Sequence, residues 1–424
     1  MSVDTERAAG VSASTMAALM LAVFVVSIGY GVALPLLPYL IERLLGAGAE
    51  PAQVSRHTGL LTAAYALSIF LFAPQWGRLS DRRGPRGVLL VGLVGFGATM
   101  LAYSFVERLA GAYAGGILSG MFAAAVPPVA AALIGNFSTT GHGRARRFAF
   151  VSMAGIAGFL MGPMLGVAVT RLAASFLTLP TGSVAVPFAA TGLLAFLAAC
   201  GVAFAVPSDK SRNRSPRRET ASVGSPAWLA WKLLILTFIV SVGVGVFEVG
   251  IALRGKQELG LTPYEIALMF TECSLVMLVM QAIVFSPRFN PATTRWLIAP
   301  ALGALGAGLF LVPQASDFTL MMVVIGAVAA SAGILSPILT YWISTQAGSA
   351  QGWQLGKQTA AASLGVTVGS AAVGLLFNVA AFPGASFVLA GGLAALGLAL
   401  SLGLPHRLVP QVPEGGRVLA SETT

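Results

Sequence analysis

Two acids interrupt long apolar stretches of this sequence. Glu248 sits within Val244-Gly245-Val246-Phe247-Glu248-Val249-Gly250-Ile251, and Glu272 within Ala267-Leu268-Met269-Phe270-Thr271-Glu272-Cys273. If those stretches cross a bilayer, a charge in them costs roughly 2.5 kcal/mol or more on insertion scales. Such an acid faces a bundle interior or a watery cavity, where it can exchange a proton or meet a cation. The structural alternative is a glutamate hydrogen-bonded between helices, or neutralised by Arg254. A second set of chemically active residues reads Gly77-Arg78-Leu79-Ser80-Asp81-Arg82-Arg83-Gly84-Pro85-Arg86-Gly87. Its glycines allow a tight turn and close packing. Asp81 can accept from arginine or from the free N–H groups of a helix N-terminus. Such a cluster can latch two helices in one conformation and release them in another, or its arginines can simply fix topology.

The elements that must hold these residues follow from composition. Of 424 residues, 56% are hydrophobic and only 9% charged, against roughly 25% charged in soluble domains. A span needs roughly 20 apolar residues. That test predicts spans near 16–40, 57–76, 88–106, 109–135, 147–171 and 185–206, then near 230–254, 264–286, 296–313, 319–344, 355–380 and 385–404. The first apolar run exceeds the roughly 7–15 residues of a signal-peptide core, so it reads as a retained helix. The fold class is therefore an all-α membrane protein of twelve helices. A six-helix bundle over 1–206 and another over 233–424 flank a Ser-, Pro- and Arg-rich linker at 207–232. That linker is either a flexible connection or a site for anionic lipid headgroups.

With the N-terminus placed in the cytoplasm, the opposite side keeps only Arg43, Arg56, Arg108, Arg171, Arg254 and Lys256 of the 25 Lys and Arg residues. This bias predicts both termini inside, a multi-pass chain of the cytoplasmic membrane. The net charge of +10 comes from these scattered loop residues, which argues against a nucleic-acid partner. Span seven runs outward and span eight returns, so Glu248 and Glu272 fall in the outer half, where they could approach each other. Cys200 and Cys273 read as small buried hydrophobes. The three histidines, His57, His142 and His406, lack companions at metal-ligand spacing, and no phosphate-binding Gly-Lys-Ser/Thr loop is present. The expectation is no metal, no cofactor, no ATP-driven pump and no enzyme.

Span five carries Gly158, Gly162 and Gly166 at i, i+4 and i+8, one smooth face for a neighbouring helix, with Pro163 to bend it. Gly365-Val366-Thr367-Val368-Gly369 in span eleven echoes it, and Pro337 in span ten echoes Pro127 in span four. On these residues the chain resembles the major facilitator superfamily of secondary transporters. That family's signature between spans two and three, Gly-x-Leu-x-Asp-Arg-x-Gly-x-Arg, is met by Gly77, Leu79, Asp81, Arg82, Gly84 and Arg86. The Gly-x-x-x-Gly-Pro-x-x-Gly element of its exporters is met by Gly158, Gly162, Pro163 and Gly166. Gly29-Tyr30-Gly31 with Leu34-Pro35-Leu36-Leu37-Pro38 is similar to the first helix of twelve-span drug–proton antiporters.

The resemblance implies two pseudo-symmetric bundles with a substrate site between them near the midplane. It makes the span-two loop a cytoplasmic latch, and it makes spans one, four, seven and ten line the cavity. Tyr30, Phe122, Phe247, Tyr341 and Trp342 are then the cavity candidates. Gln281 and Gln358 join them as buried polar groups, and Met269, Met277 and Met280 as a pliable wall; ordinary packing is the competing role for each. The sequence departs from the family at Gly116, where many antiporters carry arginine, and at Ser286-Pro287-Arg288-Phe289-Asn290-Pro291, where the second-half signature has no aspartate. Coupling is therefore expected in the second half, through Glu248 and Glu272. The implied activity is proton-coupled efflux of a small apolar or cationic compound by a monomer in the lipid bilayer. Uptake or facilitated diffusion of a metabolite, or a non-transporting sensor or scaffold on the same fold, stay open.

Overall fold

Inside a bilayer no water satisfies backbone polar groups, so each apolar run closes its own hydrogen bonds as a helix. The computed structural model describes residues 12–46, 48–137, 141–175, 185–207, 227–284, 286, 291–346, 351–379, 382 and 384–405. The helices are α1 (Ala13–Leu45), α2 (Pro51–Arg83), α3 (Pro85–Tyr103), α4 (Leu109–Ala123), α5 (Val126–Phe137), α6 (Gly141–Ala174) and α7 (Ala185–Ala205). A second series follows: α8 (Ala227–Gln257), α9 (Pro263–Val284), α10 (Ile298–Leu311), α11 (Phe318–Thr345), α12 (Gln351–Leu376) and α13 (Ala385–Leu402). Among the described residues, twelve helical stretches are long and apolar enough to span a membrane. The linker residues 208–226, the loop residues 287–290 and both chain ends lie outside the described residues.

The fourth span lies where it was expected, near 109–135, but in two pieces. It is α4 followed by α5, interrupted at Ala124–Ala125. Pro127 and Pro128 supply no N–H and their rings crowd the preceding turn, so one helix stops and a second begins with the prolines in its first turn. Single prolines do less: α6 runs through Pro163 and α11 through Pro337.

Two buried cores mark two bundles. One gathers residues from Ala18 to Val206 together with Leu355, the other residues from Leu229 to Leu404 together with Leu34. In the first bundle α1 packs on α6 and α7, α3 on α4 and α7, and α2 on α4. In the second, α8 packs on α12 and α13, α10 on α11 and α13, and α9 on α11. The bundles meet mainly along α2 against α12 and α6 against α9, with α1 touching α8 and α9.

The glycine faces work inside each bundle. A Cβ at Gly158 would collide with Phe24 O of α1, and one at Gly162 would lie 2.8 Å from Gly31 C. The second bundle repeats this, Gly365 meeting Phe238 O and Gly369 meeting Val242 O of α8. Backbones touch at these points because no side chain separates them.

Candidate functional site

Glu248 is half-buried on α8 where that helix faces the first bundle. Its Oε2 accepts a hydrogen bond from Tyr30 Oη on α1 at 2.7 Å, so one acid and one phenol join the two bundles deep in the protein. The Tyr30 ring lies stacked on Tyr65 of α2 (5.4 Å, 14°) and on Phe159 of α6 (5.7 Å, 30°). Phe159 then meets Phe270 of α9 edge-on at 5.8 Å. Four aromatic rings from both bundles thus form a chain of contacts at the Tyr30 end of the bond. Cys273, buried on α9, lies within electrostatic reach of both Glu248 and Glu272.

Glu272 turns to a different neighbour. Its Oε1 approaches Gly326 on α11, and its Oε2 is buried with no hydrogen-bond partner among the described residues. The two acids flank Cys273 but use separate partners.

The remaining candidates spread out. Phe122 packs its ring on Gly95 of α3, inside its own bundle. Phe247 is buried in the core of the second bundle. Tyr341 and Trp342 are buried edge to face at 5.1 Å, and Trp342 Nε1 donates to Thr294 Oγ1 at 3.2 Å. Gln358 Nε2 donates to Thr340 Oγ1 at 2.8 Å, tying α12 to α11. Gln281 is fully buried, and neither end of its amide has a partner.

At the end of the bundles that carries the α2–α3 turn, Asp81 Oδ2 accepts the backbone N–H of Trp353 at 3.0 Å. Trp353 lies in the first turn of α12, so a carboxylate from one bundle meets the positive end of a helix in the other. Arg78 lies over the Trp353 ring at 3.7 Å. Gly77 is buried on α2, and Gly84 makes the turn at φ 91°, a value that suits glycine. Arg82 is exposed, while Arg86 donates to Ala203 O at the end of α7. Gly166 of α6 faces Pro187 of α7, and Pro163 lies one residue past the Gly162 contact with α1.

The opposite end holds groups that the sequence alone did not single out. Lys256 pairs with Glu42 at 2.6 Å and donates to Pro38 O, while Tyr39 Oη donates to Leu261 O at 2.8 Å. Gln257 Nε2 and Asn378 Nδ2 both donate to Ser55 Oγ, at 2.9 and 2.8 Å. Tyr65, Phe159, Phe270 and Trp353 also went unmarked. Their one signal was aromatic side chains in helices now seen at the seam, which in an apolar span looks like ordinary core.

Both ends therefore carry side-chain bonds across the seam. Beside Tyr30, within the first bundle, lies a cavity of about 50 Å³ lined by residues including Gly29, Leu61, Tyr65, Tyr103 and Gly116. Drug-sized ligands fill roughly 300–1,000 Å³, so this cavity is too small to hold one as it stands.

Comparison with known proteins agrees with this architecture. The family model of the Major Facilitator Superfamily matches residues 19–355. Multidrug resistance protein 2 of Bacillus subtilis is 26% identical over 395 residues, 90% of this chain and 92% of the relative. Quinolone resistance protein NorA of Staphylococcus aureus is 25% identical over 362 residues, 84% of this chain and 88% of the relative. Among solved structures, the human organic anion transporter MFSD10 superposes with a TM-score of 0.74 at 18% identity, over 92% of this chain and 99% of that one. The proton:xylose symporter XylE does so with 0.74 at 14% identity, over 93% and 98%; these two likenesses speak to fold. The chain is a transporter rather than an enzyme, and it belongs to the major facilitator superfamily.

Proposed function

We propose that this protein exports a small apolar or cationic compound against an inward flow of protons, by rocking its two bundles about their seam. The observation that carries this reading is Glu248, an acid at membrane depth bonded across the seam to Tyr30. A carboxylate there can hold either a proton or a cationic group but not both, which is the competition an exchanger needs. Glu272, with a buried oxygen that lacks a partner, is the second coupling acid. The names of the relatives, one for multidrug and one for quinolone resistance, favour efflux over uptake. On this reading the chain works as a monomer in the cytoplasmic membrane, with both termini and the α2–α3 turn inside. Asp81 and its neighbours form the inner latch on Trp353, and the segment between α7 and α8 links the two domains, ending sooner than the expected residue 232 because α8 begins at Ala227.

The test is reconstitution in liposomes with a trapped pH dye and a panel of lipophilic and cationic compounds. Wild type is expected to move protons when compound is added, and Glu248→Gln to lose at least nine-tenths of that movement. Glu272→Gln should reduce it severalfold. Proton movement untouched by either substitution removes the coupling assignment, and absence of flux for every compound, beside a working control transporter, removes efflux.

A further inference from the structure

The Tyr30–Glu248 bond differs from the other side-chain bonds across the seam described above, which lie at the two ends of the bundles. It sits between them, so it can respond to what occupies the acid. The Tyr30 ring is stacked on Tyr65 and on Phe159. A ring stacked on flat neighbours moves most easily along its own plane. On its own side of the seam it forms part of the wall of the 50 Å³ cavity, which gives it room to withdraw.

We propose that Tyr30 is the positioning residue that converts the state of Glu248 into movement of the bundles. This rests on the reading of Glu248 as the coupling acid. While Glu248 is a carboxylate, Tyr30 donates to Oε2 and holds α1 to α8. A hydrogen bond to a charged acceptor is roughly twice as strong as one between neutral groups. When a proton arrives on the carboxylate, or a cationic group pairs with it, the negative charge that strengthened the bond from Tyr30 is neutralised. The tyrosine keeps its own proton throughout, its bond weakens, and the ring withdraws into the cavity so that the seam can open. The other titratable groups near Glu248 are Tyr65 on α2, behind Tyr30, and Cys273 on α9, with Glu272 beyond it. The neighbouring α6 presents Phe159, and α12 meets α8 through the Val366 backbone at Gly245. No described group next to Glu248 offers a second charged donor to replace the phenol.

The test needs no substrate. Spin labels at Phe105→Cys and Phe382→Cys, exposed residues at one end of opposite bundles, report the gap while pH is varied, with Cys200 and Cys273 replaced by Ala. Wild type is expected to shift its distance distribution with pH. Tyr30→Phe, which deletes one oxygen, should flatten that shift at least fivefold and settle near the distribution that wild type shows at low pH. Ala33→Leu, which fills the cavity from α1, should slow the shift while leaving its midpoint in place. A Tyr30→Phe protein that titrates like wild type overturns the proposal and leaves the Glu248 assignment standing. A Glu248→Gln protein that still titrates like wild type overturns that assignment first. A wild type with no shift, or a Tyr30→Phe protein too unstable to reconstitute, also overturns it, the latter by making the hydroxyl a structural bond.

Discussion

Gln281 has no exposed surface, and both ends of its amide lack partners. Among the described residues it has no partner, and a buried polar group left in that condition costs about 1–3 kcal/mol. Gln281→Met, close in shape and without the amide, is expected to raise the melting temperature of the detergent-solubilised protein by a few degrees. The same change should weaken compound flux severalfold, because the amide is then lost to the substrate. Calorimetry and the liposome flux assay check the two halves of that expectation. At this scale the sequence told half the story. Glu248, Glu272 and Gln281 are visible as polar interruptions of apolar runs. Their partners are not, because Tyr30 and Glu248 are 218 residues apart and only the packing of two bundles brings them together. Phe122 shows the converse: span four faces the cavity by analogy, but helix rotation turns this ring onto Gly95.

Helices were legible as lengths of apolar chain, and so were their contact faces where small residues repeat. Gly158 and Gly162 announced a close helix neighbour, and the structure identifies it as α1, with Gly365 and Gly369 repeating the contact on α8. What periodicity could not show is that these contacts lie within each bundle rather than across the seam. Gly158→Leu is expected to force α6 from α1 and destabilise the protein by about 1–3 kcal/mol or more, the usual range for overpacking. Gly392→Ala on α13, where an added Cβ meets nothing within 4 Å, should be neutral or stabilising by up to about 1 kcal/mol. Thermal unfolding of the pair separates a packing role from a general intolerance of side chains. The interruption between α4 and α5 was legible in principle in Pro127-Pro128, but an apolar count treats proline as one more span residue.

Across the whole molecule, the count of twelve spans and the two-bundle plan follow from hydropathy and a mid-chain linker, whereas the bonds across the seam at each end do not. At the α2–α3 end the seam depends on Asp81, Arg78 and Trp353; at the other it depends on Lys256, Glu42, Ser55 and Asn378. Trp353→Ala removes the ring under Arg78, a contact worth about 0.5–1 kcal/mol at an exposed site. It should raise thiol-reagent labelling of a cysteine placed at Leu355, which is buried in the core of the first bundle, by two- to fivefold. Lys256→Met should do the same for a cysteine at Gln257 and leave Leu355→Cys unchanged. The most direct test of two bundles rocking about one seam is to tie them together. Ser55→Cys with Asn378→Cys, in a protein whose Cys200 and Cys273 are Ala, can be bridged by a short bis-thiol reagent whose disulfide core is later reduced. Rocking predicts that compound flux in liposomes falls below about a tenth on bridging and returns on reduction; full flux with the bridge closed would contradict it.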